Sequence, residues 1–229
     1  MRCRVLTVIA VCSMFTLLGC NNRAETQIIT PEPMVELKPM QQSYRGVLPC
    51  ADCEGIETSL FLNKEGTWVM DQTYLGKNSS FASYGTWART ADKLVLTAEN
   101  GDKIYFLAKD DSLEKLDTEG NPIQSSLNYT LRAVEAPLPT TPMSMKGEYT
   151  YYADAAVFAD CATGRTFPVE SNAVLQEEYL EMRGKDLKPV FLQFDAHFAV
   201  QPKPDSDKLE KVLVSDGQAK FTPGKSCKD

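Results

Sequence analysis

The chain has 229 residues, of which 24 are basic and 31 acidic, for a formal net charge of −7. Nucleic acid and anionic lipid are therefore excluded as main partners, since both call for a basic surface. Seven cysteines and a single histidine make the compartment the first question, because redox conditions decide what cysteines do.

Arg2 and Arg4 precede an apolar run from Val5 to Leu18, and the sequence Leu17-Leu18-Gly19-Cys20 closes it. Fourteen residues fall short of the roughly 20 that a membrane-spanning helix needs, so residues 1–19 read as a signal peptide. The small residue before Cys20 resembles a bacterial lipobox, in which cleavage exposes a cysteine that carries diacylglycerol. Asn21 stands where an aspartate would retain the protein in the inner membrane, so the motif implies an outer-membrane, periplasm-facing lipoprotein. Anchoring then rests on the acyl chains of Cys20, more than one of which suffices. Loss of Arg2 and Arg4 takes the mature net charge to −9.

Cys3 and Cys12 leave with the signal peptide and Cys20 is lipidated, which leaves Cys50, Cys53, Cys161 and Cys227. An even number in an oxidising compartment points to two disulfides. Three pairings are possible. The one joining 50 to 53 and 161 to 227 is favoured because each bridge stays within its own half.

Residues 20–42 form the lipidated N-terminus and a polar tether containing Pro31, Pro33 and Pro39. Its 22 residues after Cys20 have a root-mean-square reach of about 25 Å if flexible. From 43 to 133 the chain alternates like a β meander. Ile56, Thr58, Leu60 and Leu62 share one face, and Gly66-Thr67-Trp68 returns as Gly85-Thr86-Trp87. Short strands follow at 94–97, 104–108, 113–117 and 127–132, separated by turn signals such as Asn100-Gly101. About eight antiparallel strands predict an up-and-down barrel.

A proline-rich linker, 134–143, separates this unit from a second at 144–229. Strands are predicted at 145–153, 156–161 and 165–170. A helix capped by Ser171 or Asn172 follows, placing Val174, Leu175, Tyr179 and Met182 near one face and ending at Gly184. Strands resume at 190–195, 197–201 and 209–214. The order fits a small OB-type barrel. Its 11 basic and 14 acidic residues favour protein contact over nucleic acid.

Cys50-Ala51-Asp52-Cys53 is the chemically conspicuous motif. A redox catalyst needs a low-pKa thiolate at a helix N-terminus, but Asp52 and Glu54 disfavour a thiolate and a strand follows. Structural zinc needs four ligands, and His197, in a strand-like run, has no histidine partner. Reduced Cys50 and Cys53 could take Cu(I), with Met143 and Met145 as soft donors. As disulfides, the two bridges differ in loop length. The chain-entropy argument gives about 4 kcal/mol for 161–227 and about 2 kcal/mol for 50–53. Signatures of a nucleophile elbow, HExxH, Walker or Rossmann site do not occur. Asp110-Asp111 and Glu177-Glu178 read as solvated surface.

The segments LLGCNNRAE, ELKPM, RGVLPCADCEGIETSLFL, GTWVM, SSFASYGTWARTADKLVLT, EGNPI and YADAAVFADCATGR, with a terminal cysteine, resemble the NlpE family. These are enterobacterial outer-membrane lipoproteins, also called copper homeostasis proteins CutF. The resemblance implies an N-terminal lipocalin-like barrel and a C-terminal OB fold with one helix. It implies activation of the Cpx envelope-stress two-component pathway on overproduction, on failed lipoprotein sorting or on surface contact. Signalling would run through the inner-membrane Cpx sensor kinase, and a link to copper tolerance is part of the same expectation. The family's lipidation maps to Cys20, its CxxC to Cys50 and Cys53, and its C-terminal disulfide to Cys161 and Cys227.

The expected function is thus a non-enzymatic sensor acting by protein contact. The alternatives are a copper-binding module using Cys50 and Cys53, and a small-ligand carrier using the barrel interior.

Overall fold

The computed structural model describes residues 42–77, 79–90, 92–170, 173–185, 187–204 and 206–229. The signal peptide, Cys20, the tether before Gln42 and the helix cap at Ser171 or Asn172 lie outside them.

Eight antiparallel strands build the first barrel: β1 (Gln42–Leu48), β2 (Ile56–Leu62), β3 (Thr67–Tyr74), β4 (Ser79–Arg89), β5 (Lys93–Ala98), β6 (Lys103–Ala108), β7 (Ser112–Lys115) and β8 (Thr130–Val134). Each pairs with its neighbour in sequence and β8 closes on β1, through Ser43↔Val134 to Arg45↔Arg132. The alternation of apolar residues explains the closure, since inward side chains meet at the axis. Tyr44, Leu60, Leu62, Trp68, Leu94, Leu96 and Phe106 are almost wholly buried there. Trp68 reconciles its indole N–H with that core by donating to the carbonyls of Thr86 and Thr97, at 3.1 and 3.2 Å. Large side chains occupy the interior, which tells against its use as a small-ligand carrier.

The repeated Gly-Thr-Trp has a spatial meaning. Trp68 lies opposite Gly85 across the β3–β4 ladder. A Cβ on Gly85 would fall 1.9 Å from the carbonyl oxygen of Thr97, so glycine is what allows β4 and β5 to approach. Gly46 plays the same part in β1, where a Cβ would meet the Thr130 carbonyl at 2.5 Å. It also explains why β1 is not evident in the sequence. The residue that permits closure interrupts the apolar alternation between Tyr44 and Leu48.

The second barrel comprises β9 (Met143–Tyr152), β10 (Ala155–Asp160), β11 (Thr166–Glu170), β12 (Val190–Pro202) and β13 (Leu209–Thr222), with helix α1 (Ala173–Met182) between its third and fourth strands. The order β10-β11-β13-β12-β9 closes on itself, with β11 and β13 parallel and the other pairs antiparallel. This is the OB arrangement that the strand pattern predicted. Aromatic residues fill the core: Tyr149 meets Tyr179 and Phe221 edge-on, with ring centres 5.4 and 5.6 Å apart. Two details depart from expectation. The predicted strands 190–195 and 197–201 are one strand, bent by a register shift around Asp195. Helix α1 buries only Leu175 and Tyr179, leaving Val174 and Met182 exposed, because it lies against the barrel along a single i, i+4 line.

Replacing Trp68 with Ala should remove about 3–5 kcal/mol from the first barrel. Urea unfolding followed by far-ultraviolet circular dichroism measures it, and a loss below 1 kcal/mol would mean that the interior repacks.

Candidate functional site: a disulfide loop and the junction between the barrels

The loop 49–55 joins β1 to β2 where Leu48 pairs with Ile56. Cys50 and Cys53 are bonded to each other within it, their Cα atoms 5.3 Å apart and both partly exposed. Gly55 lets the chain turn back. Its φ of 153° suits glycine, and a Cβ would strike the Val47 side chain at 2.5 Å. Asp52 is held by Lys77 Nζ at 2.6 Å. That hydrogen bond, and then the ammonium charge, hold the Asp52 carboxyl below the usual carboxylate range.

These residues do not fit Cu(I) as they stand. The two sulfurs are spent on each other, and the carboxylate that lies with them among the described residues, Asp52, is a hard donor already paired with Lys77. Met143 and Met145 are not soft donors to this loop. Both are buried in the cluster that joins the second barrel to Phe61. Phe61 lies five residues along β2 from Ile56, which is about 17 Å of strand.

At that other end of the first barrel the two barrels meet. Phe61, Val69 and Tyr84 point outward from β2, β3 and β4 and share one buried cluster with Tyr149, Phe167 and Phe198. Tyr84 and Phe198 meet edge-on at 6.2 Å. The polar groups here are matched across the contact. The Tyr84 hydroxyl donates to buried Asp160 at 2.8 Å, and Asp160 also accepts from the Thr163 N–H at 2.8 Å. Burial, and then the Asp160 charge, push the Tyr84 hydroxyl far above its ordinary value. Arg165 donates to the Glu65 carbonyl.

Lys211 of β13 reaches into the junction. It pairs with Glu65, donates to Thr67 Oγ1 at 2.8 Å, and lies 4.5 Å from the ring centre of Phe198 and 5.1 Å from that of Phe167. Burial pulls the Lys211 ammonium below its usual value, against the raising influence of Glu65. Burial alone would raise Glu65, but the hydrogen bond and charge of Lys211 outweigh it and the carboxyl ends lower than usual.

Cys161 is bonded to Cys227, Cα atoms 5.2 Å apart, tying the chain's last residues to the loop that follows Asp160. His197 sits in β12 with Nδ1 2.9 Å from each oxygen of Asp216. It lines an open cleft of about 920 Å³ between the barrels, with Ser43, Phe61, Leu138 and Val200. The two disulfides and the histidine are therefore not gathered into one centre. The residues that sequence reasoning missed are Glu65, Tyr84, Asp160 and Lys211. No local pattern marks them, since each is matched by a residue some 76 or more positions away.

Glu65→Gln should weaken the protein by about 1–3 kcal/mol at pH 7, an estimate reduced for the partial exposure of Glu65. The sign with pH follows from the lowered carboxyl. Its contribution is complete above the unfolded value of 4.5 and is lost as pH falls through the folded one. The gap between wild type and variant in urea unfolding should thus narrow between pH 7 and about pH 3.5. A gap that stays constant would remove this pair from the account.

Comparison with known proteins accords with this architecture. The sequence profile of the NlpE N-terminal domain matches residues 44–126, and that of the NlpE C-terminal OB domain matches 139–228. Lipoprotein NlpE of Escherichia coli K12 is 58% identical over 226 residues, covering 97% of this chain and 96% of that protein. The crystal structure of the Cpx pathway activator NlpE from Escherichia coli is 58% identical, covers 83% of this chain and 100% of its own, and superposes with a TM-score of 0.42. With both barrels matched and a relative this similar along almost its whole length, the chain belongs to the NlpE family.

Proposed function

We propose that this protein is an outer-membrane lipoprotein, acylated at Cys20, that activates the Cpx envelope-stress pathway by contact with the inner-membrane sensor kinase. The observation that carries this reading is the 58% identity to Lipoprotein NlpE, which extends over 226 residues and so includes both barrels. Residues 1–19 act as the signal peptide and 20–42 as the tether, with barrels over 43–133 and 144–229 and a linker at 134–143. The protein works as a sensor of failed sorting, redox stress and surface contact, without catalysis of its own. The lipoprotein-sorting machinery is its upstream partner.

The absence of any helix long and apolar enough to span a bilayer among the described residues is compatible with attachment through Cys20. The junction gives the sensor a physical means of changing state. Parting the barrels would uncover Phe61, Val69 and Tyr84 together with the carboxylate of Glu65. A role in copper tolerance belongs to the same reading, but ligation of Cu(I) by Cys50 and Cys53 requires their bridge to be reduced first.

Overproduction in a strain carrying a Cpx-responsive transcriptional reporter should raise the reporter several-fold, and only when the sensor kinase is intact. Substituting a retention aspartate, Asn21→Asp, should raise it further by holding the protein beside the kinase. A reporter indifferent to both would overturn the signalling reading.

A further inference from the structure

The Cys50–Cys53 loop stands at the end of the first barrel remote from the second, whose contacts are made by Phe61, Glu65 and Thr67 at the opposite ends of β2 and β3. Apolar side chains stand toward the same end of the barrel as the loop. Val47 and Leu75 flank Gly55, Phe81 packs edge-on against Tyr74 at 5.8 Å, and Leu127 precedes Asn128, whose amide donates to the Val47 carbonyl at 2.9 Å. Phe81 and Leu127 leave 61% and 60% of their surface in solvent, and Val47 43%. Large apolar side chains left this exposed toward one end of a barrel offer footing for protein contact. The bridge at this end is itself partly exposed. We propose that Cys50–Cys53 is a thiol–disulfide exchange site whose reductant is a protein dithiol of the Cys-x-x-Cys class, and that the exposed apolar side chains at this end of the barrel are where that protein docks.

The local chemistry permits the approach of a thiolate. The acid between the two cysteines, Asp52, is neutralised by Lys77, so an incoming anion does not meet a bare carboxylate. The step balances. A thiolate of the partner attacks one sulfur of the bridge, the Cys50–Cys53 bond breaks, and the other sulfur leaves as a thiolate that takes up a proton. The partner's second thiolate then attacks the mixed disulfide and releases the remaining cysteine, which is protonated in turn. Two electrons pass from the partner dithiol to this chain, and the partner ends as the disulfide. Opening the bridge leaves the fold in place, because the Leu48↔Ile56 register and the bond from Leu75 N–H to the Gly55 carbonyl close the loop independently. Cys161–Cys227 is also open to solvent at Cys227, but its other half follows Asp160, which is buried in the contact between barrels. The inference holds whether or not the signalling reading does.

The test uses the oxidised full chain in detergent and reduced thioredoxin, with dithiothreitol as a small dithiol that needs no docking. Thioredoxin lacking its resolving cysteine should be trapped as a mixed disulfide that peptide mass spectrometry places on Cys50 or Cys53. Phe81→Asp together with Leu127→Asp should slow reduction by thioredoxin about tenfold, the scale of one lost buried contact, while leaving the rate with dithiothreitol unchanged. Both positions are exposed, so folding is preserved, and circular dichroism checks it. Trapping on Cys161 or Cys227, no trapping at all, or equal slowing with both reductants would each overturn the proposal.

Discussion

An ammonium largely withdrawn from water needs an answering charge, and the one that Lys211 finds belongs to the other barrel. Phe167 and Phe198 line its stem and accept its charge on their faces, but they cannot neutralise it. Glu65 can, and it is held for the task. Its turn is tied by Gly66 N–H to the Asn63 carbonyl at 3.0 Å, and by Asn63 N–H to the Thr67 carbonyl at 2.9 Å. The pair thus links the two barrels across their contact. Tyr84 with Asp160, and Arg165 with the Glu65 backbone, extend the same matching over the apolar patch between them.

Strand periodicity made the barrels legible, since Leu60, Leu62, Trp68 and Met70 recur at every second position of their strands and all lie in one interior. The same reasoning could not see the junction. Phe61 falls on the opposite face of β2 from Leu60 and Leu62, where a single sequence reads it as an isolated exposed aromatic. Its burial comes from a barrel encoded eighty residues later, and no local period encodes that. Lys211, between Glu210 and Val212, likewise looks like an ordinary surface lysine. Helix α1 shows the converse error. Val174 and Met182 complete an apolar stripe on paper, but contact with the barrel is narrower than the stripe.

The cysteine motif was legible in its spacing and compartment, and its surroundings were not. The sequence shows Asp52 and Glu54 as two negative charges beside the sulfurs. In the fold, Lys77 arrives from the β3–β4 turn to neutralise the first, and exposed Phe81 and Leu127, 28 and 74 residues beyond Cys53, lie toward the same end of the barrel. Loop length ranks the two bridges by stability. Their neighbours differ as well, since one follows Asp160 at the contact between barrels and the other stands at the far end of the first barrel.

The chain enters the first barrel at Gln42, at the end where the barrels meet, and β1 then runs toward the disulfide loop between β2 and β8. Any tension arriving from the N-terminal side is therefore delivered at one end of a strand paired on both edges. If the molecule is gripped at the far rim, β1 is pulled along its own axis and its ladder bonds share the load together. If it is gripped at the second barrel, the same tension acts across β1 and opens its pairs in succession, beginning at Gln42 and Ser43. The barrel would resist the first pull and yield to the second, so mechanical response would depend on where a partner holds it.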